Sequence, residues 1–139
     1  AAAPIAAELT RVAAPGATLV VDDYEPMPRG SPVRQLFAVE NAAAELAGSR
    51  PALTFYPAEG LRRLFGGHGW EYDRTRTILE PVPWTEGHLT AHVAEVRGYA
   101  SSLPDALATP LVTEAERLAK STGSSDEGRM YSVAMRLPP

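Results

Sequence analysis

The sequence has 139 residues, enough for one domain with a buried core. Its 45% hydrophobic and 22% charged residues and formal net charge of −4 are ordinary for a globular protein, and they leave no clustered basic footprint of a nucleic-acid binder. The absence of cysteine excludes disulfides, thiolate catalysis and Cys-based zinc sites, and no apolar run approaches the roughly 18 residues of a membrane helix. The Ala-rich start has no basic region ahead of it, so a signal peptide is not expected and the location is read as cytoplasmic. The 13 prolines and 11 glycines are spread along the chain and punctuate elements without forming a low-complexity tract.

The predicted elements begin with a helix from Ala1 to Ala13. Ile5, Leu9 and Val12 fall at i, i+4 and i+7, which marks them as the stripe facing the core. Arg11 suits the negative end of the helix dipole, and Pro15-Gly16 turns the chain. A strand then runs over Thr18–Asp22. Its unbroken Leu19-Val20-Val21 predicts a strand covered on both faces in a parallel sheet. Asp22, Asp23 and Tyr24 leave that strand at its carboxyl end, the edge where open α/β sheets bind ligands.

From Tyr24 to Pro51 the chain makes a long connection, irregular through Gly30 and helical over Val33–Ala47, with Leu36, Phe37, Asn41 and Ala44 on one face. Such connections serve as lids or binding loops, or pack as plain surface helices. Leu53–Tyr56 reads as a partial strand. Pro57–Gly67 reads as a helix with Leu61, Leu64 and Phe65 inward, followed by a strand over Trp70–Leu79. Thr85 caps a helix over Glu86–Ala100 with Leu89, Val93, Val96 and Ala100 buried. Pro104 opens another helical stretch, and Pro110–Lys120 forms a third with Leu111, Ala115 and Leu118 inward. Ser121–Gly128 reads as a mobile loop, and Met130–Leu137 alternates like a closing strand.

Three of these segments together resemble the latter half of the class I S-adenosylmethionine-dependent methyltransferases. The family pattern L-x-R-V-L-x-P-G-G-x-L-V-x-x-D is matched by Leu9, Arg11, Val12, Pro15, Gly16, Leu19, Val20 and Asp22 or Asp23, with Ala17 in place of the second Gly. Gly69-Trp70 takes the Gly-aromatic position before the sixth strand. Met130–Leu137 takes the place of the last strand, which in the family inserts antiparallel between the fifth and sixth.

The resemblance implies an α/β fold: the C-terminal portion of a Rossmann-like methyltransferase sheet, with residues 1–79 as helix–strand units, 80–128 as a helical cover and 129–139 as the final strand. It covers nearly all of this chain but only the latter half of the family's fold. No G-x-G-x-x-G turn occurs in the sequence, so the Gly-rich cofactor-binding half is expected in a missing N-terminal segment or a second chain. The activity implied is methyl transfer from S-adenosylmethionine to an oxygen or nitrogen of a small-molecule acceptor. This chain would supply the acceptor side, with its cofactor-binding residues unassigned. The alternative is a non-catalytic, methyltransferase-like subunit that binds a protein partner or forms a homodimer, since a half-sheet leaves an edge and an apolar face to be covered.

Methyl transfer from a sulfonium asks little acid–base apparatus of the protein, so candidate residues are few. Asp22 and Asp23 can orient an acceptor or take its proton, or simply cap a turn. His88 and His92, at i and i+4, share a helix face. They form an incomplete metal pair, a base lining the cover, or a solvated pair. Tyr24, Phe37, Trp84 and Tyr99 are candidate walls of an apolar acceptor pocket, with core packing as the plain alternative.

Overall fold

The computed structural model describes residues 2–51 and 53–139. Ala1, where the first helix is expected to begin, lies outside the described residues. The elements in order are α1 (Ala2–Val12), β1 (Thr18–Tyr24), α2 (Pro32–Leu46), α3 (Ala58–Gly66), β2 (Glu71–Leu79), α4 (Glu86–Ala100), α5 (Asp105–Thr122) and β3 (Met130–Arg136). They divide into two units. One comprises Ala1–Glu25, Phe55–Glu80 and Arg129–Pro139; the other comprises Pro26–Thr54 and Pro81–Gly128.

The first unit is a three-stranded sheet in the order β1-β3-β2. β3 pairs antiparallel with both neighbours, so β1 and β2 run in the same direction on either side of it. Buried Tyr131, Val133 and Met135 alternate along β3 and, with Leu19 and Val21 of β1, receive Ala6 of α1 and Leu61 and Phe65 of α3. Trp70 is buried just ahead of β2, not within it, and its Nε1 donates to Thr10 Oγ1 at 2.8 Å. Gly16 adopts a φ of 79°, a conformation that costs a glycine little, and its N–H donates to the Pro138 carbonyl. The turn before β1 is thereby tied to the chain leaving β3.

Two expectations fail here for one reason. The sheet is small, and within this unit α1 and α3 pack over one of its faces. Ile5 and Val12 are therefore 62% and 61% exposed, because α1 turns Ala6 and Thr10 inward in place of the longer stripe. Val20 is likewise 57% exposed, so β1 is not covered on both faces, and among the described residues no strand pairs with its outer edge. β2, the opposite edge, is almost wholly exposed; its alternating charges and two register shifts are the usual protection of a sheet edge.

The second unit packs α2, α4 and α5 around Val33, Leu36, Phe37, Leu89, Val93, Val96, Ala115 and Leu118. Ser31 caps α2, accepting from the Arg34 N–H, with Pro32 in the first turn where its missing donor costs nothing. The two helices expected around Pro104 and Pro110 are one, since α5 runs through Pro110. The loss of one backbone donor there is carried by burial of Ala115 and Leu118 further along.

Leu53–Tyr56 forms no strand. Within this unit the Asn41 side chain takes the role a strand neighbour would have played. Its Nδ2 donates to the Leu53 carbonyl at 3.0 Å and its Oδ1 accepts the Leu53 N–H at 3.1 Å. The loop over Ser121–Gly128 is tied down as well. Trp84 and Ser125 exchange backbone hydrogen bonds at 2.7 and 2.9 Å, and Val82 donates to the Gly128 carbonyl at 3.2 Å.

Candidate functional site

In the first unit the carboxyl end of β1 gathers the acidic residues that the sequence singles out. Asp23 faces the chain: its Oδ1 accepts the Tyr24 N–H at 2.7 Å and its Oδ2 the Tyr56 N–H at 3.3 Å. Oδ2 thus holds the loop that leads into α3, while Oδ1 caps the end of β1. Asp22 points the other way, exposed, and has no hydrogen-bond partner among the described residues. Tyr24 stacks obliquely on Phe55, with ring centroids 5.6 Å apart.

Below this edge Tyr131 is fully buried and its hydroxyl donates to the Tyr56 carbonyl. Burial, followed by the nearby charges of Asp23 and Glu25, pushes the Tyr131 phenol well above the usual tyrosine range, against the opposing effect of Arg129. Arg129 joins the ends of all three strands. It donates from Nε to Thr77 at 2.9 Å and lies 3.6 Å from Glu25 and 3.9 Å from Glu80.

In the second unit a chain of aromatic contacts runs from α4 to α2. Trp84 meets His88 at 6.3 Å between centroids and Phe37 edge-on at 5.2 Å, and Phe37 packs on the His92 ring at 4.6 Å. The two histidines share a helix face and have different work. His88 closes a capping box with Thr85: its Nδ1 accepts the Thr85 N–H while the Thr85 hydroxyl accepts the His88 N–H, both at 3.3 Å. A neutral His88 therefore carries its proton on Nε2. His92 instead reaches across to α2, where its Nδ1 lies 2.8 Å from Glu40 Oε1. Tyr99, half-buried further along α4, makes no ring contact with this cluster among the described residues.

Glu40 is the residue that sequence reasoning passed over. It is 7% exposed, a carboxylate inside the helix bundle. The signal was present, because Val33, Phe37, Glu40 and Ala44 follow the 3.6-residue repeat and an acid on such a stripe needs a buried partner. Phe37, 3% exposed, backs His92 and Trp84 as part of the bundle core.

No three or more His, Asp or Glu side chains come together to hold a metal ion among the described residues. The glycines also offer no cradle for a nucleotide. Those with positive φ stand in open space, apart from Gly128, which lies under the Trp84 indole; none lines a turn between a strand and the helix that follows it. Among the described residues no helix is long and apolar enough to cross a membrane.

Neither a protein-family model nor a curated protein matches the sequence. Among solved structures the chain is similar to a Galdieria sulphuraria protein assigned as a sarcosine dimethylglycine methyltransferase, at 11% identity and a TM-score of 0.42 over 98% of this chain and 47% of that one. It is similar to the cyclase SpnF at 17% identity and a TM-score of 0.44, over 98% of this chain and 44% of that one. A third is the Haemonchus contortus phosphoethanolamine N-methyltransferase 2, at 11% identity and a TM-score of 0.44, over 99% and 30%. The chain thus spans less than half the length of each of these structures.

Proposed function

We propose that this chain is the acceptor side of an enzyme that moves a methyl group from S-adenosylmethionine to an oxygen or nitrogen of a small molecule. The observation that carries the reading is the position of β3, antiparallel between β1 and β2, in a chain whose β1 follows a helix and a Pro15-Gly16 turn. That is the strand arrangement the sequence resemblance implies for the last part of the methyltransferase sheet. The proposed acceptor-side residues are Asp22, Asp23 and Tyr24 in the first unit and Phe37, Trp84, His88, His92 and Tyr99 in the second. Of the two carboxylates, Asp22 is the one with no hydrogen bond among the described residues to give up before meeting an acceptor.

The residues present do not themselves fit the cofactor. They supply neither a Gly-rich turn after a strand nor a backbone cradle, so no residue here is given a role toward it. Its binding belongs in this reading to a missing N-terminal half or a second chain.

A second reading, a non-catalytic subunit of the same ancestry that binds a protein partner or dimerises, is favoured by one specific feature. Ile5, Leu9 and Val12 lie exposed along α1, and the outer edge of β1 has no strand beside it among the described residues.

The two are separated by incubating the longest natural product of the gene with methyl-labelled S-adenosylmethionine and a deproteinised small-molecule extract. Label entering a small molecule is the expected result. Label remaining wholly in the donor leaves the non-catalytic subunit.

A further inference from the structure

Glu40 is a buried acid whose only hydrogen-bond partner among the described residues is the imidazole of His92. With Glu40 ionised its oxygens can only accept, which places the proton on Nδ1 of His92, donated to Glu40 across 2.8 Å. The neutral ring is then left with a bare lone pair on Nε2. This reverses the arrangement at His88, where Nδ1 is the acceptor and Nε2 the donor. Phe37 holds the His92 ring from one side. The His92 side chain keeps 22% of its surface exposed, and Glu40 Oε1 occupies its Nδ1.

Buried acids without a task are rare, because taking a carboxylate out of water costs several kcal/mol that a leucine at the same place would not. A bundle core could be built without this pair. What the pair supplies is an imidazole held at Nδ1, with no hydrogen bond to Nε2 among the described residues.

We propose that His92 is the proton acceptor for the acceptor molecule and that Glu40 is its positioning residue. The group that gives up the proton is a hydroxyl or a protonated amine. Its O–H or N–H bond breaks, an Nε2–H bond forms, and the electron pair stays on the oxygen or nitrogen as the nucleophile. The imidazolium so made is neutralised by Glu40, and its Nε2 proton passes afterwards to water. The inference rests on the methyl-transfer reading for its use, while the state of the ring can be read without it.

The test uses the whole chain labelled with nitrogen-15, at a pH where the histidines are neutral. Long-range proton–nitrogen correlation is expected to show His92 as the Nδ1–H tautomer and His88 as the Nε2–H tautomer. Diethyl pyrocarbonate, followed by mass spectrometry, is expected to modify His92 roughly 3- to 10-fold faster than His88, whose bare nitrogen must first give up the Thr85 hydrogen bond. Glu40→Gln keeps both signatures, since its amide oxygen still accepts. Glu40→Leu loses them, and if that variant does not fold, the wild type and the Gln variant still decide. A His92 in the Nε2–H form, or one no more reactive than His88, overturns the inference. In the full enzyme, His92→Gln is expected to lower kcat about 10²-fold, the low end of what a positioned base contributes, without changing KM for S-adenosylmethionine. Failure of the wild type to transfer a methyl group overturns the methyltransferase reading alone, and a wrong tautomer overturns this inference alone.

Discussion

Replacing His92 by leucine takes away the donor that faces Glu40 at 2.8 Å and leaves a carboxylate that is 7% exposed inside the bundle. Leucine keeps the contact with Phe37, so the change isolates the polar term. Breaking a buried pair by removing one partner costs about 3–5 kcal/mol; because the exposed edge of His92 lets water near the site, the lower figure of about 3 kcal/mol is expected. At a urea slope of about 1.5 kcal/mol per molar, the unfolding midpoint of this unit falls by about 2 M.

The assay is tryptophan fluorescence at neutral pH in a Trp70→Phe background, because Trp84 then reports the second unit alone. Glu40→Leu is expected to be milder than His92→Leu, since it strands a partly exposed imidazole in place of a buried charge. The double variant should return to within about 1 kcal/mol of the reference, as buried pairs replaced by apolar residues often do. The reasoning is refuted if the two single effects add to within about 0.5 kcal/mol in the double variant, because the residues would then not be coupled.

Tyr131→Phe should cost about 1–2 kcal/mol by leaving the half-buried Tyr56 carbonyl without its donor. The phenol's folded value is raised above the ordinary value of about 10, so its contribution is complete below that pH and is lost as pH rises beyond it. An alkaline stability profile should therefore fall more steeply in the wild type than in Tyr131→Phe, and identical profiles would refute the assignment. Thr85→Ala should weaken α4 by about 1 kcal/mol in thermal unfolding, and His88→Ala by less, since only the reciprocal half of the cap is lost. Leu36→Ala, at a fully buried position of the helical unit, should cost about 2–5 kcal/mol in urea unfolding, and a change under about 1 kcal/mol would place this side chain outside the core.

Much of the fold was legible because local signals agreed with burial. Thr85 before an apolar repeat marked α4 to the residue, and the alternation along Met130–Leu137 marked β3 within one residue of its end. The face of α1 was misread because periodicity names a stripe without saying which stripe the sheet accepts. Ala6 is buried and Thr10 accepts the Trp70 hydrogen bond from sixty residues away in sequence, while Ile5 and Leu9 stay exposed. The apolar letters of Leu53–Tyr56 predict a partial strand, yet side chains take the place of a sheet: the Asn41 amide pairs with the Leu53 backbone, and Asp23 and Tyr131 with that of Tyr56.

At the site, the histidine pair at i and i+4 was visible, but its division of labour was not. The cap at His88 depends on Thr85 geometry, and the partner of His92 lies 52 residues away on another helix. Glu40 could have been found by asking why an acid sits in an apolar repeat.

The central claim is that this chain is one part of a methyltransferase whose cofactor is bound elsewhere in the enzyme. Calorimetric titration of S-adenosylhomocysteine into this chain, and then into the longest natural product of its gene, tests it most directly. The account predicts saturable binding to the longer product and none to this chain alone. Binding to neither would contradict it.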